Sequence, residues 1–210
     1  MLEIFGHRAT LNGIENNIST LEYYEKLRMG IELDLRYGKN GVYLAHDPQE
    51  DGDLFEDLCK KFRNSNIKMA LHIKESEAIY ETIELLKKYS IHNYFLFNTE
   101  NFNTSNLEID GKIAAYLSNK KNQIKEKILW CDEIEEKWYS EEMFLELHND
   151  NKVIYAMSLE LVKTCNETEI VSEWERLINL GVDGICTKYP KKLLEFVKGD
   201  VNEYSNANGR

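Results

Sequence analysis

Three groups of polar residues stand at or just beyond the ends of strand-like apolar runs, and their side chains could carry chemistry. They are His7-Arg8 with Glu15-Asn16, Glu32 and Asp34 with His46-Asp47, and His72 with Lys74. Strand side chains alternate between two faces, so Glu32 and Asp34 share one face, as do His72 and Lys74. Carboxylates on the interior face of a sheet need a cationic partner, because an unpaired buried charge is costly. A divalent ion such as Mg²⁺ or Ca²⁺ would supply that charge.

Each of these motifs, taken alone, has an ordinary structural explanation. A Glu-x-Asp pair on a strand is commonly solvent-facing, and a His-Arg pair after a strand is commonly a capping or surface group. Their joint order is more informative: His-Arg, then Glu-x-Asp after one helix, then His-Asp after one hairpin, then a lysine on the next strand. That order favours a functional site over a set of solvated side chains.

Short apolar runs alternate with longer amphipathic segments along the chain. The predicted strands are Leu2–Gly6, Gly30–Leu35, Lys68–Ile73, Asn93–Phe97, Lys112–Leu117, Lys127–Trp130, Lys152–Met157 and Val182–Cys186. The predicted helices are Ser19–Met29, Leu54–Phe62, Glu75–Tyr89, Ser140–Leu147 and Thr168–Leu180. Strands alternating with helices predict an α/β fold of the (β/α)8 TIM-barrel type, with reactive groups at the C-terminal ends of the strands. A doubly wound open sheet would give a similar pattern.

Turn residues refine this architecture. A hairpin is predicted between Leu35 and His46, with its turn at Lys39-Asn40-Gly41. The first helix is expected to begin at Ser19 or Thr20 and to be closed by Gly30. No linker divides the chain, so residues 1–198 are predicted to form one compact barrel domain and residues 199–210 a flexible tail.

The composition excludes several classes of protein. The 210 residues are 42% hydrophobic and carry a formal net charge of −11, so neither nucleic acid nor an anionic membrane surface is an expected partner. No apolar run is long enough to cross a membrane. The four cysteines are widely spaced and form no CxxC pair, which is typical of reduced thiols in a cytoplasmic protein.

The polar motifs together resemble those of the glycerophosphodiester phosphodiesterase family, part of the phosphatidylinositol phospholipase C-like barrels. That family carries His-Arg-Gly, Glu-Asn-Thr, Glu-x-Asp, His-Asp and Glu-x-Lys motifs, and a Gly-Val-Asp-Gly-Ile run that leads to Thr-Asp-x-Pro. The matching segments here are His7-Arg8-Ala9, Glu15-Asn16-Asn17, Glu32-Leu33-Asp34, His46-Asp47, His72-Ile73-Lys74 and residues 181–190. The resemblance is strong over residues 4–47, weaker at 69–74 and 181–190, and nearly absent from 99 to 165.

This resemblance implies metal-dependent hydrolysis of a small-molecule phosphodiester, such as a glycerophosphodiester or related polyol diester, to an alcohol and a phosphomonoester. The implied catalytic residues are His7 and His46. The implied substrate-binding residues are Arg8, Lys74 and Glu15, and the implied metal ligands are Glu32, Asp34 and His72. The two histidines would share the acid and base roles, since histidine titrates near neutral pH. Arginine and lysine would neutralise the phosphate oxygens.

Four departures from the family pattern stand out. Ala9 replaces a glycine, and His72 replaces an acidic metal ligand. Residues 155–158 lack the family's Trp-Thr-Val-Asn pattern, and residues 48–71 are too few for the insertion that usually follows His-Asp. The imidazole at position 72 leaves Mg²⁺, Mn²⁺ and Ca²⁺ as candidate cofactors and adds the softer Co²⁺, Ni²⁺ and Zn²⁺.

Two alternatives remain open at the level of sequence. One is a cyclising, phospholipase-like enzyme that acts on a lipid head group, although the acidic net charge argues against stable membrane association. The other is a non-catalytic barrel that binds a phosphorylated ligand. The sequence gives no indication of oligomeric state.

Overall fold

The computed structural model describes residues 1–50, 52–99, 111–117, 124–133 and 137–199. Its strands are β1 (Glu3–Gly6), β2 (Gly30–Gly38), β3 (Gly41–Leu44), β4 (Asp53–Leu54), β5 (Met69–Ile73), β6 (Tyr94–Phe97), β7 (Ala114–Tyr116), β8 (Ile128–Cys131), β9 (Val153–Met157) and β10 (Gly184–Thr187). Its helices are α1 (Leu21–Leu27), α2 (Phe55–Phe62), α3 (Glu77–Lys88), α4 (Glu141–Asn149), α5 (Glu167–Leu180) and α6 (Pro190–Lys198). Every predicted strand and helix is present near its predicted position. The predicted tail, apart from Gly199, lies outside the described residues.

Eight of these strands form one curled parallel sheet in the order β6-β5-β2-β1-β10-β9-β8-β7. The predicted hairpin is confirmed as β2–β3, and β4 pairs with β3 beyond it. The two ends of the curled sheet meet at a single bridge between Leu96 and Ile113, where the Leu96 N–H donates to the Lys112 carbonyl at 2.8 Å. The predicted α/β architecture is thereby confirmed as a curled parallel sheet. Among the described residues, however, β6 and β7 do not form the continuous ladder of a fully closed barrel.

Strand alternation sorts the side chains of the sheet into two apolar layers. The outer layer lies between the strands and the helices, and it includes Ile31, Leu33 and Leu35 of β2. The inner layer consists of Phe5, Ala70, Phe95, Phe97, Ala114, Trp130, Tyr155 and Cys186. Because Ile31, Leu33 and Leu35 point outward, Glu32 and Asp34 must point inward. Both acidic residues are buried, with exposures of 2% and 1%.

Gly30 makes room for the aromatic part of this inner layer. It pairs with Phe5 across β1 and β2, and a Cβ at position 30 would lie 2.5 Å from the Phe5 ring. The Phe5 ring packs edge-on against Phe95 and Tyr155. Aromatic rings therefore fill the interior at the level of Gly30, two residues before Glu32 on the same face of β2. The polar site is confined to the C-terminal end of the sheet.

Helix ends agree with the sequence in some places and not in others. Helix α5 has a capping box between Asn166 and Glu169 and ends at Gly181 with φ 88°, as expected for a glycine in the left-handed region. The expected closure of α1 at Gly30 is wrong, because the helix already ends at Leu27 and is capped by Arg28, which takes φ 55° itself. Helix α6, which carries proline in its first turn, was not predicted. Among the described residues, no helix is both long enough and apolar enough to cross a membrane.

Adjacent residues of α4 offer a matched test of the outer layer. Phe144 is fully buried, whereas Leu145 is 63% exposed. We expect Phe144→Ala to lower the free energy of unfolding by about 3–5 kcal/mol, because it leaves a cavity in the core. Leu145→Ala should change it by no more than about 0.5 kcal/mol. Urea unfolding followed by circular dichroism measures both, and equal losses would contradict the assigned orientation of α4.

Candidate active site

A compact loop after β1 presents the first two residues of the candidate site. Arg8 and Ala9 both lie in the left-handed region, with φ of 52° and 46°. For residues other than glycine this conformation costs about 1–2 kcal/mol each. It turns the Arg8 N–H toward the Glu32 carboxylate, to which it donates at 2.8 Å. Ala9 therefore adopts a conformation that glycine would reach without this cost. The alanine at this position, where the family pattern has glycine, thus adds backbone strain to the loop.

The same loop is closed by Asn16, which clamps one carboxylate of the pair. The Asn16 backbone N–H donates to the Arg8 carbonyl at 2.7 Å. Its side-chain amide donates to Asp34 Oδ2 at 3.0 Å, and its side-chain oxygen accepts the Asp34 backbone N–H at 3.0 Å. This two-way contact fixes the Asp34 carboxylate against the loop. In the sequence Asn16 stands only as part of the Glu15-Asn16-Asn17 motif, and nothing in its spacing indicates this clamping role.

The two buried carboxylates have opposite pKa shifts. Burial raises the pKa of Glu32 well above its usual value, and the neighbouring negative charge of Asp34 raises it further. Burial also acts to raise the pKa of Asp34, but hydrogen bonds from His72 and Asn16 and the charge of Lys74 outweigh it and hold that pKa well below its usual value. The pair thus resists carrying two negative charges unless another cation is added.

His72 and Lys74 reach this pair from the neighbouring strand. The parallel register places His72 directly beside Asp34 across β2 and β5. His72 Nδ1 lies 3.0 Å from Asp34 Oδ1 and 3.9 Å from Glu32 Oε1. The Lys74 ammonium lies 3.6 Å from Asp34 Oδ1. Stacking of the imidazole on the Phe97 ring, with centroids 4.6 Å apart, fixes its plane.

Glu32, Asp34 and His72 form a group that could hold a metal ion. One ligand atom from each residue lies within 4.8 Å of the other two. Two carboxylate oxygens and one imidazole nitrogen suit Mg²⁺ or Mn²⁺ and also softer ions such as Co²⁺, Ni²⁺ and Zn²⁺. The raised pKa of Glu32 marks a carboxylate whose charge is incompletely compensated in the protein alone. The donor set and its electrostatics therefore fit a divalent cation.

Two histidines border the carboxylate pair. His7 is largely buried, its Nε2 lies 3.9 Å from Glu32 Oε2, and its Nδ1 has no hydrogen-bond partner among the described residues. Burial lowers the pKa of His7 to about 3, and the positive charges of Arg8 and Lys188 add to this effect. His46 is more exposed, and its Nδ1 lies 3.0 Å from Asp47 Oδ1. It is close enough to act electrostatically on both His7 and His72.

The guanidinium of Arg8 is held at the edge of the site. Its Nε lies 3.3 Å from Asp34 Oδ2, and its Nη1 donates to Glu15 at 3.1 Å. Glu15 is about half exposed, and its contact with Arg8 holds the guanidinium in place. The eight residues singled out in the sequence therefore converge on one end of the sheet, with His46 at the periphery.

Several solved structures share the fold of this chain. A glycerophosphodiester phosphodiesterase from Parabacteroides distasonis matches with a TM-score of 0.71 and 13% identity, over 95% of this chain and 98% of that chain. The enzyme of the same name from Thermotoga maritima matches with a TM-score of 0.64 and 20% identity, over 94% and 98%. A 7,8-dihydropteroate synthase from Vibrio fischeri also matches, with a TM-score of 0.58 and 8% identity over 94% and 91%.

No protein-family model matches the sequence, and no curated protein does so either. The resemblance seen in the motifs is confirmed at the level of the fold by the two phosphodiesterase structures. Because the dihydropteroate synthase shares that fold, the fold alone does not decide the activity. The side chains at the C-terminal end of the sheet must carry that argument.

A change of one ligand tests the metal-binding group. We expect His72→Glu to shift binding toward Mg²⁺ and Ca²⁺ and away from Ni²⁺ and Zn²⁺, because carboxylate oxygen is a harder ligand than imidazole nitrogen. Titration calorimetry with each ion measures the shift, and His92→Glu, outside the group, supplies the control for added charge. An unchanged order of metal affinities in His72→Glu would remove His72 from the ligand set.

Proposed function

We propose that this protein is a metal-dependent phosphodiesterase that hydrolyses a glycerophosphodiester or related polyol phosphodiester to an alcohol and a phosphomonoester. One observation carries the proposal: the possible metal ligands Glu32, Asp34 and His72 lie within 4.8 Å of one another. His7 and the guanidinium of Arg8, a group that binds phosphate well, lie beside them. The likeness in fold to glycerophosphodiester phosphodiesterases supports the same reaction class. In this proposal the curled sheet acts as a trimmed (β/α)8 barrel, with its reactive end at the strand C-termini.

The charges of the site suit a phosphodiester anion. Arg8 and Lys74 lie 3.3 Å and 3.6 Å from Asp34, so two side-chain cations stand against two buried carboxylates. A divalent ion held by the carboxylates would leave the site with excess positive charge. That excess would attract and hold an anionic phosphoryl group, whose charge grows as the reaction proceeds. A neutral substrate would gain nothing from this arrangement.

Each side chain has a distinct task in the proposed reaction. A bound divalent ion would polarise a phosphoryl oxygen. Arg8, fixed by Glu15, directs its remaining N–H groups toward the phosphate, and Lys74 adds a compact positive charge. His7 and His46 share proton removal from the attacking hydroxyl and proton donation to the departing alcohol. Burial lowers the pKa of His7 and keeps its imidazole neutral near pH 7, although the same shift makes it a weaker base.

Chelation provides the first test of this proposal. Purified protein is incubated with EDTA and then with Mg²⁺, Mn²⁺, Ca²⁺, Co²⁺, Ni²⁺ or Zn²⁺, and release of alcohol from glycerophosphoglycerol and glycerophosphoinositol is measured. We expect EDTA to abolish release and at least one of these ions to restore it. Phosphorus NMR separates a phosphomonoester from a cyclic phosphate, the product of a cyclising enzyme. Binding of the diesters without turnover under any of these ions would instead support a non-catalytic barrel.

Substitution of the two histidines tests the acid and base roles. We expect His7→Ala and His46→Ala each to lower kcat by about 100- to 10,000-fold, the range of a positioned acid or base. His92→Ala serves as the matched control, because His92 is exposed and lies outside the site. Thermal unfolding should show that all three variants are folded. Turnover near that of the unchanged protein would remove the corresponding histidine from the mechanism.

A further inference from the structure

A cavity of about 540 Å³ opens beside His7. One wall is the loop after β1, from His7 to Glu15, and the other is the segment from Lys188 to Lys192 that leads into α6. The parallel register of β1 and β10 pairs Gly6 with Thr187, so His7 and Lys188 both follow directly from paired positions. The cavity and the proposed reaction centre therefore share His7 and Glu15.

The cavity carries a concentration of positive charge. Lys188, Lys191 and Lys192 all line it. Lys192 is paired with Glu167 at 2.9 Å, and Lys191 lies 3.9 Å from Glu195. The ammonium group of Lys188 donates to the Glu160 backbone carbonyl at 3.3 Å, and no carboxylate of the described residues lies within ion-pair distance of it. Lys188 thus has charge available for a ligand.

Glu160 fixes the backbone from which Lys188 projects. This nearly buried carboxylate accepts the Lys188 backbone N–H at 3.0 Å and the Thr187 hydroxyl at 2.5 Å through the same oxygen, Oε1. Its other oxygen accepts the hydroxyl of Ser158, which in turn accepts the indole N–H of Trp174 at 2.7 Å. A network of buried hydrogen bonds therefore holds this segment in place, and little order remains to be gained on binding.

The remaining lining of the cavity combines apolar walls with the polar side chains of Thr10, Asn12 and Glu15, and the Glu15 carboxylate is paired with Arg8. Leu11, Tyr23 and Pro190 contribute to its walls, and Tyr189, which is 42% exposed, lies at its edge. Aliphatic and aromatic walls suit the carbon skeleton of a polyol, whose C–H faces pack against rings and whose hydroxyls can point outward. The available charge of Lys188 suits an anion attached to that skeleton.

We propose that this cavity binds the part of the substrate beyond the scissile phosphate, and that Lys188 selects substrates in which this part carries a further anionic group such as a phosphomonoester. The inference rests on the proposed function for the position of the scissile phosphate. It adds the substrate class: a phosphodiester of a polyol phosphate is preferred over one whose alcohol is neutral or cationic. Lys188 is the specificity-determining residue.

The test compares two substrates that differ by one phosphate group, glycerophosphoinositol and glycerophosphoinositol 4-phosphate. We expect the unchanged protein to have a kcat/KM at least about 10-fold higher for the phosphorylated diester, the effect of one good charge-assisted contact. Lys188→Gln should reduce this ratio to within about 2-fold of unity, and Lys188→Arg should retain most of it. The ratio is the readout because any effect of Lys188 on His7 acts on both substrates alike.

Lys60→Gln is the matched control, because it removes the same charge from a half-exposed position on α2 outside the cavity. Its ratio should equal that of the unchanged protein. Binding of inositol 4-phosphate, measured by calorimetry without turnover, gives a second readout, and we expect Lys188→Gln to weaken it by about 10-fold.

These outcomes separate the two proposals. Hydrolysis of both diesters with a ratio near unity, unchanged in Lys188→Gln, would overturn the role of Lys188 and leave the proposed function standing. Absence of hydrolysis, with inositol 4-phosphate bound and weakened in Lys188→Gln, would support the anion site and overturn the proposed function. Absence of both would overturn both.

Discussion

The burial of two carboxylates inside a parallel sheet is the constraint around which this molecule is organised. Glu32 and Asp34 occupy inward positions of β2, and the alternation of side chains along the strand fixes both of them on that face. Each must be compensated where it stands, since buried charge without partners would destabilise the fold. The loop after β1 supplies the Arg8 N–H and the Asn16 amide as hydrogen-bond donors. His72 on β5 and Lys74 directly after it supply the remaining contacts. Site and fold are thus stabilised by the same contacts.

Features that depend on local pattern could be predicted from the sequence. The alternation of Ile31, Leu33 and Leu35 with Glu32 and Asp34 already places both acids on one face. The same argument joins His72 with Lys74 on the next strand. The apolar runs that form the other strands are short and bounded by turn residues, so their positions follow as well. The face of the sheet on which each strand residue lies can therefore be predicted from the sequence.

Features that depend on long-range pairing could not be predicted in this way. Lys188 comes to lie beside His7 only because Thr187 pairs with Gly6 across β1 and β10. Backbone conformation was equally hidden, since Ala9 and Arg28 adopt positive φ without being glycine. The position of His46 depends on Arg36, whose guanidinium donates twice to the His46 carbonyl, at 2.9 Å and 2.7 Å. None of these contacts leaves a periodic signal in the chain.

The stack of rings that begins at His72 gives the site an optical consequence. The His72 imidazole stacks on Phe97, and Phe97 stacks on the Trp130 indole with centroids 4.5 Å apart. Trp130 is almost fully buried, so its emission reports on the interior and not on the solvent. A paramagnetic ion held by His72 would stand two rings from this indole and quench its fluorescence, whereas a diamagnetic ion would not. If Glu32, Asp34 and His72 hold an ion as proposed, Trp130 would report whether a paramagnetic ion occupies that position.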